Sequence, residues 1–160
     1  MKRIVISVFA VVVLAAWPAF ALVTSTPLPA QGITPDEMAQ LLGQHQMLPK
    51  PMQGSDGQPY INGQAVGVGF DVSFGKCSSS GCQDVYFKAG WSKAGPPIVT
   101  LEKLNDWNNK NHFLHVYVSP DKTLWAEMDA RVAYGTTANA EAYIELWRTQ
   151  LRAFKSFMQW

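Results

Sequence analysis

Between residues 66 and 91 the chain changes character at almost every step. Val66, Val68, Phe70, Val72 and Phe74 alternate with Gly67, Gly69, Asp71 and Ser73. Val85, Phe87, Ala89 and Trp91 alternate in the same way with Asp84, Tyr86 and Lys88. A period of two marks a strand with one face buried. Between the two runs lies KCSSSGCQ, a C-x-x-x-x-C pair formed by Cys77 and Cys82. Joining those cysteines sets Phe74 opposite Val85, Val72 opposite Phe87, Phe70 opposite Ala89 and Val68 opposite Trp91. Every apolar side chain then shares one face, and Asp71 lies across from Lys88 on the other. A slip of one residue would turn the whole apolar set toward water.

A second hairpin is predicted around Ser119-Pro120-Asp121. Leu114, Val116 and Val118 precede the turn, and Leu124, Ala126, Met128, Ala130 and Val132 follow it. Matching their faces places Val118 opposite Leu124, Val116 opposite Ala126 and Leu114 opposite Met128. On the polar side His115 then faces Glu127 and Tyr117 faces Trp125. A shorter strand is expected near 59–62, with Asn62-Gly63 as its hairpin turn. Residues 48–59 are rich in Pro and Gly and read as a loop.

Three segments carry helical spacing. Thr34, Pro35 and Glu37 form a capping-box start ahead of Met38, Leu41 and Leu42, with an end near His45. The last helix, about 138–158, has the stripe Ala140, Tyr143, Trp147, Leu151, Phe154 and Met158, with Glu141 and Glu145 early and Arg148, Arg152 and Lys155 late. The middle one, LEKLNDWNNKN from Leu101, follows Thr100 as a cap. Asn105 and Asn108 fall on the Leu101/Leu104 face, and Trp107 points roughly 120° away. Asparagine competes for nearby backbone groups and is a middling helix former. Both amides are therefore expected to bond buried backbone groups, with a ligand or partner site as the alternative. Asn109 and Asn111 are expected to end the helix, since asparagine tolerates the left-handed conformation. The resulting order is α-β-β-β-α-β-β-α, an α+β fold with a mostly antiparallel sheet.

Composition narrows the function. The chain has 160 residues, is 48% hydrophobic and carries a formal charge of +1. That suits one domain with a real core and lacks the basic excess on which nucleic-acid affinity rests. Lys2 and Arg3, the apolar run Ile4 to Trp17, Pro18 and then Ala19-Phe20-Ala21 have the layout of a signal peptide over 1–21, cleaved after Ala21. An uncleaved anchor reaching Val23 is the alternative, and only then would a membrane be a partner. Residues 22–33 read as a flexible lead-in to a domain over 34–160. In a periplasmic or secreted protein Cys77 and Cys82 are first read as a structural disulfide. A zinc site wants four ligands, and redox motifs usually have C-x-x-C spacing.

Catalytic patterns are sparse. His112 and His115 are three apart on a strand and point to opposite faces, so no metal site is expected. His115, Glu127 and Asp129 share the polar sheet face and are the acid/base set of an alternative enzyme reading. Cross-strand ion pairing accounts for the same residues. Glycine patterns for phosphates or dinucleotides and the G-x-S-x-G elbow are missing from the sequence, and no cofactor is expected. Trp107 and Trp125, the latter beside Tyr117, are the candidates for a contact surface.

The run LEKLNDWNNKNHFLHVYVSPDKTLWAEMDARVAYG, with the later LWRTQLRAFKSF, resembles the YbjN family, described as bacterial sensory-transduction regulators. The motif L-N-x-W-N falls at Leu104, Asn105, Trp107 and Asn108, and FGKCSSSGCQDVYFKAGW is similar to members with a signal peptide and a cysteine pair. The resemblance implies a fold like type III secretion chaperones, a helix–sheet–helix sandwich. It brings no catalytic residues. The function it implies is non-enzymatic: an exported, chaperone-like or regulatory protein that binds a polypeptide or a second copy of itself.

Overall fold

The computed structural model describes residues 25–92 and 99–160. The signal peptide expected over 1–21 and the start of the lead-in lie outside the described residues. The elements are α1 (Pro35–Gln44), β1 (Lys50–Gln53), β2 (Pro59–Ala65), β3 (Val68–Ser78), β4 (Gly81–Trp91), α2 (Leu101–Lys110), β5 (His115–Val118), β6 (Leu124–Arg131) and α3 (Thr137–Met158). All six strands form one antiparallel sheet in the order β1-β2-β3-β4-β6-β5.

The α+β class and the antiparallel sheet are as expected, with one strand more. β1 lies in the stretch expected to be loop, and Pro51 is accommodated because β1 is an edge strand. β2 is also longer than expected. Asn62-Gly63 is not its turn but sits within it, paired with Asp71 and Phe70. Gly63 serves a close approach instead: a Cβ there would lie 2.5 Å from the Phe70 ring. The turn is Val66-Gly67, with φ of 49° and 77°. Positive φ at both central residues suits the hairpin twist. It strains a β-branched valine, whose carbonyl accepts a hydrogen bond from Lys155 Nζ at 2.9 Å.

Both hairpin registers are as the alternation required. Val72 pairs with Phe87, Phe74 with Val85 and Asp71 with Lys88, and the Cys77–Cys82 disulfide is formed at the tip. Val116 pairs with Ala126, Tyr117 with Trp125 and His115 with Glu127.

The lead-in makes hydrogen bonds to the rest of the domain from Thr26 onward. Leu28 and Ile33 are buried. Ile33 and Cys82 exchange backbone hydrogen bonds of 3.0 and 2.8 Å, and Leu28 N–H donates to the Gly135 carbonyl at 2.9 Å. Gly32 has φ of 82° and lies so close that a Cβ would come within 1.9 Å of the Cys82 carbonyl oxygen.

The apolar sides of the helices meet one face of the sheet in a single core. The helices thus form one layer and the sheet the other. Trp147 lies between Phe70 and Phe87, both with ring centroids 5.6 Å from it. Phe154 is surrounded by Trp91, Trp107 and Trp160. Burying each such ring contributes roughly 1.5–3 kcal/mol. In α3 Ile144 is the buried partner of this stripe and Tyr143 is half-buried. Among the described residues no helix is long and apolar enough to cross a membrane.

Candidate functional site

The opposite face of the sheet carries no helix among the described residues. Its side chains are the polar alternates of the core positions, and the register lines them up. Asn62, Asp71, Lys88, Glu127 and His115 form one row across five strands. In the next row Gly90 pairs with Trp125, and Trp125 with Tyr117.

Lys88 is the centre of the arrangement. Its Nζ lies 2.5 Å from Glu127 Oε1 and 4.2 Å from the centroid of the Trp125 ring. Tyr117 OH donates to the same carboxylate oxygen at 2.7 Å. The Trp125 indole rests over Gly90, where a Cβ would come within 2.4 Å of the ring. Its Nε1 donates to Ser119 Oγ at 3.1 Å. The Asn62 amide donates to Asp71. Beside Trp125 lies a hollow of about 460 Å³ lined by Asn62, Gly69, Asp71, Lys88, Gly90 and Trp125.

The proton affinities follow from these contacts. Burial opposes the charge on Glu127, but hydrogen bonds from Lys88 and Tyr117 and the nearby ammonium outweigh it and hold the carboxyl below its ordinary value. Burial likewise opposes the charge on Lys88, and its bonds to Glu127 and Tyr117 leave the ammonium above its ordinary value. The hydrogen bond to Glu127, then burial, raises the Tyr117 phenol.

His115, Glu127 and Asp129 do line one hollow, of about 340 Å³, with Phe113, Tyr143 and Leu146. Glu127 is nevertheless engaged by Lys88 and Tyr117, and its affinity for a proton is shifted away from that of a base working near neutral pH. Among the described residues no cluster of three His, Cys, Asp or Glu side chains could hold a metal ion.

A family model named YbjN, "Putative bacterial sensory transduction regulator", matches residues 22–160. The chain belongs to the YbjN family. No curated protein and no solved structure matches it.

The YbjN-like motif of α2 is placed differently from the sequence expectation. Leu104 is buried as expected, but Leu101 is 67% exposed and Asn105 is exposed. The inward stripe is Leu104, Trp107, Asn108 and Asn111, turned from the Leu101/Leu104 line. Trp107 is only 2% exposed and donates its Nε1 proton to the Leu114 carbonyl at 2.9 Å, so it belongs to the core and leaves the contact-surface candidates. Asn108 alone fulfils the role expected of two asparagines. Its Nδ2 donates to the Val116 carbonyl at 2.9 Å, and its Oδ1 accepts from Val116 N–H at 3.0 Å. A primary amide here replaces a neighbouring strand and closes the edge of β5. Asn111 ends the helix with extended, not left-handed, backbone, and its Nδ2 donates to the Trp107 carbonyl at 3.0 Å.

Trp125 and Tyr117 are half-buried on the open face, where alternation placed them. The residue that sequence reasoning missed is Lys88. Its signal was present, because Asp71–Lys88 and His115–Glu127 were both legible pairs. What joins them is the contact of β4 with β6, strands separated in the chain by α2 and β5.

Proposed function

We propose that this YbjN-family protein acts without catalysis, as an exported chaperone-like or regulatory protein that binds a polypeptide on the open face of its sheet. The observation that carries the reading is the group Lys88, Tyr117, Trp125 and Glu127, held in a fixed geometry on a face that carries no helix among the described residues. A flat indole backed by glycine offers contact area at little entropic cost, and the surrounding charges give direction. Export follows from the N-terminal layout and agrees with the oxidised Cys77–Cys82 pair.

The test is capture from envelope extract with the wild type and with Trp125→Ala. A polypeptide retained by the first and lost by the second, at equal melting temperature, is the expected result. Equal capture by both removes the face from the reading. Amino-terminal sequencing tests export separately: a chain starting at Leu22 is expected, and an intact Met1 in membrane fractions favours an anchored component.

The shared hollow favours one second reading, a small envelope enzyme using His115, Glu127 and Asp129. A hydrolytic activity abolished by Glu127→Gln in a folded protein would establish it.

A further inference from the structure

The second half of α3 carries Arg148, Arg152 and Lys155 at spacings of four and three, which sets them along one side of the helix. Two of them are tied to backbone. Arg148 Nη2 donates to the His45 carbonyl, and Lys155 Nζ donates to the Val66 carbonyl at 2.9 Å. Among the described residues the one carboxylate in contact with this group is Glu145, 2.5 Å from His45 Nδ1 and 3.0 Å from Arg148 Nη1. Arg152 is exposed and enters no ion pair among the described residues. Like charges one helical turn apart repel, and no acidic partner offsets that at Arg152. Arg148 and Arg152 border a hollow of about 320 Å³, together with His45, Gln46, Gln64 and Val66. Its walls are built from unusual backbone: φ is 58° at Gln46, 48° at Leu48 and 49° at Val66. Left-handed backbone at residues other than glycine is costly and concentrates where a ligand is clamped.

We propose that this hollow binds a phosphate group, in the form of a phosphomonoester, between Arg148 and Arg152. Such a group carries a charge of about −1.5 to −2 and presents three acceptor oxygens. Each guanidinium can give it paired N–H donors. A carboxylate, with two oxygens, would occupy one guanidinium and leave the other uncompensated. Arg148 keeps its bonds to the His45 carbonyl and to Glu145 and turns its remaining N–H groups to the ligand, while Arg152 is free to give all of its own. The walls are set before the ligand arrives. Arg148 and Lys155 fasten the two loops to α3, and Gln64 N–H donates to the Met47 carbonyl at 2.7 Å. Little ordering is then left for binding to oppose. A soluble phosphomonoester and a phosphatidate headgroup present the same chemistry. Leu48, next in the chain to the wall residue Met47, is 68% exposed and suits the second source. The site shares no residue with Lys88, Tyr117, Trp125 and Glu127, and stands or falls independently of the polypeptide reading.

Titration of the full chain with inorganic phosphate at constant ionic strength tests it, with acetate as the competing anion. Saturable binding of phosphate is expected, with acetate weaker by about tenfold. Arg152→Gln removes an exposed side chain with no ion pair, so it is expected to fold normally and to weaken phosphate binding by about tenfold or more. Lys122→Gln, which removes the same charge from the β5–β6 turn, is expected to leave binding unchanged. If Arg152→Gln does not fold, amide chemical shifts of the wild type supply the second measurement. Phosphate is expected to move the signals of residues 45–48, 64–66 and 148–152 and to leave those of β5 and β6 in place. Phosphatidylcholine vesicles with and without phosphatidic acid separate the two sources. Retention on the acidic vesicles alone, lost in Arg152→Gln, assigns the headgroup; phosphate binding without retention assigns a soluble ligand. Neither probe binding, acetate binding as tightly as phosphate, equal losses in Arg152→Gln and Lys122→Gln, or shifts centred outside the hollow would overturn the proposal.

Discussion

On the helix side of the sheet, Val72, Val85, Phe87, Ala126 and Met128 are all buried, and none carries a charge. One residue along each strand, Asp71, Lys88, Trp125 and Glu127 face the other way, where Asn62 bonds to Asp71 and Lys88 meets both Glu127 and the Trp125 ring. The helix side derives its stability from area removed from water and from shape, where losing a ring leaves a hole. The open side is held by pairwise contacts that remain partly solvated and are individually weak. A partner could compete for contacts of the second kind without disturbing the first. On the proposed reading, the strands divide stability and recognition between their two faces.

The largest effect is expected where that contrast is sharpest. Trp147→Ala removes a fully buried ring between Phe70 and Phe87 and should cost about 3–5 kcal/mol, read by chemical denaturation. Asn108→Leu comes next, because it orphans both backbone groups of Val116. A loss of about 1–3 kcal/mol is expected, with faster hydrogen exchange at Val116. Glu127→Gln should cost about 1 kcal/mol at neutral pH. With a folded value below its ordinary 4.5, the carboxylate contributes above about that pH and loses its contribution as pH falls through the folded value. Lys88 stands above its ordinary 10.5, so its contribution persists below that pH and disappears as pH rises through the higher folded value. The difference in melting temperature between Glu127→Gln and wild type should accordingly shrink on acidification. Trp125→Ala should change stability least, by about 0.5 kcal/mol, while abolishing partner capture. A large destabilisation there would erase the distinction between the faces.

How much of this was legible depended on distance along the chain. Both hairpins could be aligned because alternation, turn residues and the cysteine pair are local and agree. The α1 cap was equally clear, since Thr34, Pro35 and Glu37 act within a single turn. Asn62-Gly63 misled because glycine has two uses, and here the approach of Phe70 required it rather than a reversal of the chain. The α2 asparagines were half readable: composition showed that an amide must meet buried backbone, but the wheel was aligned on Leu101, which faces water. The centre of the open face was not readable, because Lys88 meets Glu127 only once β4 and β6 are known to be neighbours.

The contact between Gly32 and the Cys82 carbonyl has one more consequence. The stretch ahead of the first helix acts as a clasp, fastened at one end to the oxidised loop and at the other, through Thr26, to the first turn of α3. Packing against the domain thus begins before Thr34, at Leu28 and Ile33. Any side chain at position 32 would push the clasp open and bare Ile33 and Cys82 together.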